Sequence, residues 1–207
     1  MTPAPTLPLL GFAAWSGTGK TTLLEQLIPL LVSRGLRLGV LKHAHHDFDI
    51  DQPGKDSHRL RKAGASQMMV ASRRRHARMI ETELAEADFR ELLASFDQTS
   101  LDLLLVEGFK HRRFPKVELY RAAIGRPLLF PDDPDIVALV SDAPQATTLP
   151  RFPFEDLEAI ADFAVRDPDP EVLGAFLDQD PDALIAIAEH MGEDDYGVMT
   201  MPKGPDG

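Results

Sequence analysis

The chain contains no cysteine. Disulfides and thiolate metal sites are thereby excluded, and a reducing compartment fits the composition. No apolar run approaches the ~18 residues of a membrane span, and no basic segment followed by a long apolar one opens the chain. Neither a span nor a secretory signal is expected, and the expected location is cytoplasmic. An excess of positive charge is missing too. The net charge is −11, but residues 167–207 carry 11 acidic residues against a single base, Lys203, while residues 1–166 carry 22 acids and 21 bases. That balance does not favour general nucleic-acid binding. With 207 residues and 43% hydrophobic content, the chain can bury the core of one domain. The composition changes after Arg166, which sets the expected division at residues 1–166 and 167–207.

The most informative stretch is LLGFAAWSGTGKTT, residues 9–22. Residues 9–15 are apolar and read as a buried strand, 16–19 as a turn and 20–32 as a helix, which together make the strand-loop-helix of a phosphate-binding loop. Gly17 and Gly19 let the backbone turn without a Cβ in the way, so that successive N–H groups point at a polyphosphate over the positive end of the helix. Lys20 adds a mobile cation for the β- and γ-phosphates, and the Thr21 hydroxyl is placed to ligate magnesium. One position departs from the pattern: Ala14 stands where glycine is usual, which is tolerable if its φ stays negative.

A second dense segment, HAHHDFDIDQPGKD (43–56), follows a predicted strand over residues 36–42. That strand is expected to lie parallel to the first. Asp47, Asp49 and Asp51 alternate with Phe48 and Ile50, so an extended segment would carry three carboxylates on one face, able to approach a magnesium ion or its waters. A solvated polar loop is the alternative, and a transition-metal site on His43, His45 and His46 is a further one. Beyond it, Asp56 is expected to cap a short helix ended by Gly64, and 67–71 and 79–82 read as strands. Arg73, Arg74, Arg75 and Arg78 form a basic cluster with His76 between them, either a solvated turn or cations for an anionic group.

LDLLLV (101–106) is nearly all apolar, as in a central parallel strand covered on both faces. It ends in Glu107-Gly108, and a carboxylate at a strand tip beside a phosphate loop can hold magnesium or orient water; capping a loop is the plainer role. Residues 117–120 and 136–140 read as further strands, and Asp142 follows the second. A carboxylate there can accept two hydrogen bonds from guanine and so select GTP, although no Asn-Lys-x-Asp element accompanies it. Residues 154–165 read as an amphipathic helix, and 170–177 and 181–191 as two helices of an acidic extension with a flexible tail. The fold class expected is a three-layer P-loop NTPase-like α/β sandwich with a mostly parallel sheet.

Three segments, AAWSGTGKTTLLEQLIP, GVLKHAHHDFDIDQPGKDSHRLRKAGA and LDLLLVEGFKH, together resemble the molybdopterin-guanine dinucleotide biosynthesis adaptor family, MobB, over residues 7–165. The resemblance implies a domain that binds GTP with magnesium, hydrolyses it slowly at most, forms a homodimer and assists the nucleotidyltransferase MobA, which attaches GMP to molybdopterin. Direct binding of molybdopterin is left open. Carried over, phosphate binding falls on Trp15, Ser16, Gly17, Thr18, Gly19, Lys20, Thr21 and Thr22. Magnesium falls on Thr21 with Glu107, and a sensor or metal role on Asp47 or Asp49. Val-Glu-Gly is similar also to an element of dethiobiotin-synthetase-like ATPases, where the glutamate lies at the metal. Alternatives are a small-molecule kinase, with the arginine cluster as its acceptor site, and a metallochaperone GTPase using the histidines. The absence of a recognisable arginine finger argues against fast turnover.

Overall fold

The computed structural model describes residues 7–44, 49–82 and 88–166. Asp47, His45, His46 and the whole acidic extension, with its two expected helices, lie outside the described residues. In chain order the elements are β1 (Leu9–Ala13), α1 (Lys20–Ser33), β2 (Leu38–Lys42), α2 (Asp56–Lys62), β3 (Gln67–Ala71), β4 (His76–Ile80), α3 (Phe89–Ala94), β5 (Leu103–Glu107), β6 (Lys116–Tyr120), β7 (Ile136–Ser141), β8 (Arg151–Phe152) and α4 (Leu157–Arg166), with a 3₁₀ turn at Ala122–Ile124. Six strands form one sheet in the order β2-β5-β1-β6-β7-β8, every pair parallel, while β3 and β4 make a separate antiparallel hairpin. The expected α/β class holds. β2 is parallel to β1, as expected, but β5 stands between them.

β1 and β5 are buried at every residue. Continuous apolar runs of this kind need cover on both faces, and the alternation of side chains sends Leu10 and Phe12 to one and Leu9 to the other. The first face packs on Leu23, Leu24, Leu27 and Leu31 of α1 and on Ile160, Ala161 and Ala164 of α4; the second packs on Phe89 and Leu93 of α3 together with Phe109 and Phe114. Pro29 lies on the exposed side of α1, and the helix runs on to Ser33 despite the missing donor.

β5 and β6 flank β1 on opposite sides, so residues 108–115 must cross over β1 to join them. They do so without a helix. Gly11 allows it: its N–H donates to the Pro115 carbonyl at 2.8 Å, and the Phe114 ring occupies the space a Cβ at Gly11 would need. Farther along that face Lys116 and Glu118 are buried, Lys116 paired with Asp133 at 2.9 Å, and Glu118 accepting the N–H groups of Leu129 and Phe130 at 2.8 and 2.9 Å. This carboxylate therefore pins the loop that precedes β7. Desolvation pushes its pKa up, and the two N–H donors hold against that.

Candidate functional site

The site forms where β1 runs out into α1. Gly17 and Gly19 have φ of +81° and +100°, in the left-handed region that glycine tolerates at no steric cost, so the loop can bend as the motif requires. Ala14 stays outside that region, since Phe109 is the one non-glycine residue with positive φ among the described residues. The departure from the usual glycine therefore costs nothing here. Thr18 is buried and folds inward, its hydroxyl donating to the Trp15 carbonyl at 2.8 Å, so its side chain braces the loop. Ser16, Thr21 and Thr22 are exposed. Lys20 closes across the loop, its ammonium donating to the Ala14 carbonyl at 3.0 Å.

Thr21 and Glu107, 86 positions apart, meet: the hydroxyl donates to Glu107 Oε1 at 2.9 Å. Parallel pairing of β1 with β5, which sets Phe12 opposite Glu107, brings them together. Lys42, the last residue of β2, pairs with the same oxygen at 2.8 Å and is register partner to Glu107. Oε2 takes no hydrogen bond from the described residues. Burial lowers the Lys20 pKa, with the Glu107 charge acting against it and Lys42 and Lys110 acting with it.

Asp142, after β7, accepts the Ala122 N–H at 3.0 Å and faces Arg121 at 3.7 Å. Arg121 in turn donates from Nε to the Thr18 carbonyl at 3.0 Å. Trp15 donates from its indole N–H to the Pro127 carbonyl at 2.8 Å, and Lys110 sits over its ring at 4.3 Å. Loops after β5, β6 and β7 thus converge on the phosphate loop, at the carboxyl edge where ligands bind in open α/β sheets. Asp49 is held elsewhere: Arg61 binds both its oxygens at 2.5 and 2.6 Å, while also reaching Asp51 and Glu81. That guanidinium keeps the Asp49 carboxyl below the usual carboxylate range. Lys55, not Asp56, occupies the cap position of α2; Asp56 is already helical. His43 stacks on Phe109 at 4.4 Å. The arginine cluster lies at the exposed turn and second strand of the hairpin.

Arg121 and Lys42 were not singled out in the sequence. The available signal was a basic residue at or just after the end of a strand, on the same sheet edge as Glu107.

A parallel sheet whose central strand opens into a glycine-bent loop and helix, with a carboxylate on the neighbouring strand tip bonded to the helix's first-turn threonine, defines a P-loop NTPase-type α/β domain. The chain belongs to the molybdopterin guanine dinucleotide synthesis protein B (MobB) family, whose model matches residues 9–142. It is similar to the molybdopterin-guanine dinucleotide biosynthesis adapter protein of Escherichia coli, at 51% identity over 77% of this chain and 93% of that one. The adapter protein of Haemophilus influenzae is 42% identical over 76% of this chain and 87% of its own. Among solved structures, Bacillus subtilis MobB shares the fold, with a TM-score of 0.62 and 24% identity, covering 79% of this chain and 99% of that one.

Proposed function

We propose that this chain is an adapter of molybdopterin-guanine dinucleotide biosynthesis that binds GTP with magnesium at its phosphate loop. In this reading it works in the cytoplasm beside a MobA-type guanylyltransferase, turning GTP over slowly at most. The observation that carries the pathway is the 51% identity to the E. coli adapter across 93% of that protein. The nucleotide part is supported by the loop, where Gly17 and Gly19 take the left-handed φ that bends it and Lys20 supplies the cation; the guanine role given to Asp142 is part of the proposal.

Thr21 and Glu107 suit magnesium, because two oxygen donors stand 2.9 Å apart beside the loop, and hard oxygen ligands are what this ion takes. When bound, the ion neutralises charge on the β- and γ-phosphate oxygens. Asp49 would have to leave Arg61 to reach it, so coordination is assigned to Thr21 and Glu107. Glu107→Gln keeps an acceptor for Thr21 but removes the charge. The gain in GTP affinity on adding magnesium is expected to drop at least about tenfold in this variant, with affinity in EDTA changed less than about threefold. A full magnesium effect in the variant would remove Glu107 from the metal.

We propose further that the chain forms a homodimer, with the hairpin as the contact surface. Two strands alone are marginal in water, and Met69 and Ile80, which the register puts on one face, are exposed on it, a surface that a second copy would cover.

Calorimetric titration of the full chain with GTP and with ATP, each with and without magnesium, tests the reading. Trp15 is the single tryptophan and lies in the loop, so its fluorescence follows the same event. GTP is expected to bind at least about tenfold more tightly than ATP, a margin two charge-assisted hydrogen bonds can supply. Equal affinities would remove the role given to Asp142, and the absence of binding by either would remove the nucleotide part. No small molecule is expected to be phosphorylated.

A further inference from the structure

Arg121, directly after β6, is fixed against the loop with most of its donors unspent. Its guanidinium lies 3.8 Å from the centre of the Phe154 ring. Nε donates to the Thr18 carbonyl at 3.0 Å, and Nη1 stands 3.7 Å from the Asp142 carboxylate, an ion pair longer than a hydrogen bond. Of the five N–H donors an arginine carries, the described residues therefore use the one on Nε. Nε and Nη2 are 3.9 and 4.0 Å from where a Cβ on Gly19 would sit, so the guanidinium runs alongside the residue preceding Lys20, with Nε on Thr18 and the donors of Nη1 and Nη2 left. The side chain is 40% exposed, open to a solute approaching the loop.

Holding the Thr18 carbonyl alone would need one donor on any flexible side chain. Here an aromatic platform and a carboxylate fix both the position and the charge of a group that keeps four donors in a planar fork, the geometry that recognises phosphate bidentately. β5 with Glu107 flanks β1 on one side and β6 with Arg121 on the other. In the reading above magnesium would lie on the Glu107 side, beside Thr21, so a ligand on the opposite flank would meet phosphates other than those the metal neutralises.

We propose that Arg121 is a second phosphate ligand of this site, taking the α- and β-phosphates of a nucleoside di- or triphosphate from the side opposite Glu107. The inference rests on the nucleotide reading above. Asp142 and Phe154 are its positioning residues.

The test is calorimetry of the full chain with GDP–magnesium and GTP–magnesium, for wild type, Arg121→Ala and Arg121→Lys, with Arg121→Ala repeated in millimolar guanidinium chloride. Arg121→Ala is expected to weaken both nucleotides by about tenfold or more and by the same factor within about twofold. Lysine and free guanidinium should each restore part of the loss, and the unfolding temperature without ligand should stay unchanged in Arg121→Ala, whereas loss of a mechanical brace on the Thr18 carbonyl would lower it. Wild-type affinity in Arg121→Ala overturns the proposal and leaves the nucleotide reading standing. So does a loss confined to GTP, or one with no recovery by lysine or guanidinium and a lowered unfolding temperature without ligand. Failure of wild type to bind either nucleotide sinks the nucleotide reading itself, and this inference with it.

Discussion

Lys20→Ala is expected to weaken GTP–magnesium binding by about a hundredfold or more while barely moving the unfolding temperature. Without a ligand the ammonium rests on the Ala14 carbonyl at 3.0 Å, and losing that one hydrogen bond costs only about 1 kcal/mol. With a polyphosphate in the loop the same ammonium would serve negatively charged phosphate oxygens in a half-buried position, where water screens the attraction less than at the surface. Titration calorimetry reads the difference, and wild-type affinity in the variant would end the assignment of Lys20. The pH dependence has a definite sign. Burial lowers the Lys20 pKa below its ordinary 10.5, so its proton is lost earlier on the way to alkaline pH than from a free lysine. Nucleotide affinity should fall as pH rises through that window, with proton uptake on binding. The unfolded chain binds more protons there than the folded one, so this group's contribution to stability rises over the same window. Lys20→Ala should remove both slopes.

Gly11→Ala is expected to lower the unfolding temperature by about 6–12 °C. The added Cβ would sit 2.2 Å from Phe114 Cε2 and 2.9 Å from Lys116 Cγ, closer than carbon atoms approach. Neither neighbour can retreat easily. Phe114 is 1% exposed and stacks on Phe89 with centroids 5.1 Å apart, and Lys116 is held by Asp133. Overpacking of this kind costs about 3 kcal/mol, and each kcal/mol moves a chain of this size by about 2–4 °C. Calorimetric melting checks it. Combining Gly11→Ala with Phe114→Leu should cost less than the sum of the two single changes, because a smaller side chain opens the space the methyl needs. An unchanged midpoint in Gly11→Ala would show that the crossover can lift off β1 without penalty.

The parts of the fold readable from the sequence are those specified by neighbouring residues. The apolar runs of β1, β5 and β7 and the glycines of the loop carry their own local signals, and the strand-tip position of Glu107 follows from the run it ends. Helix starts shift where turn chemistry intervenes: α4 begins at Leu157, not 154, because Asp156 caps it, accepting from the Ala159 N–H at 3.1 Å. Lys116 and Glu118 show the opposite case. Their alternation with Val117 and Leu119 ordinarily marks a strand with one solvated face. Both are buried because residues 129–133, distant in sequence, supply their partners. Arg121 and Lys42 escaped for the same reason, since their importance depends on which strands stand beside β1 and β5. The Asp49–Arg61–Glu81 network likewise joins three segments that only the tertiary structure brings together.

The placement of β1 between β5 and β6 has a consequence for how the molecule comes into being. Both neighbours of this first strand are encoded some 90 to 110 residues later, so a growing polypeptide carries LLGFA with both edges unsatisfied until β5 has emerged and one still open until β6 has. Such distant pairing makes folding slow and leaves an adhesive segment uncovered meanwhile. A nascent chain halted before β5 should therefore associate with holdase chaperones or aggregate, and the loop that follows β1 acquires its shape only once the second half has been synthesised.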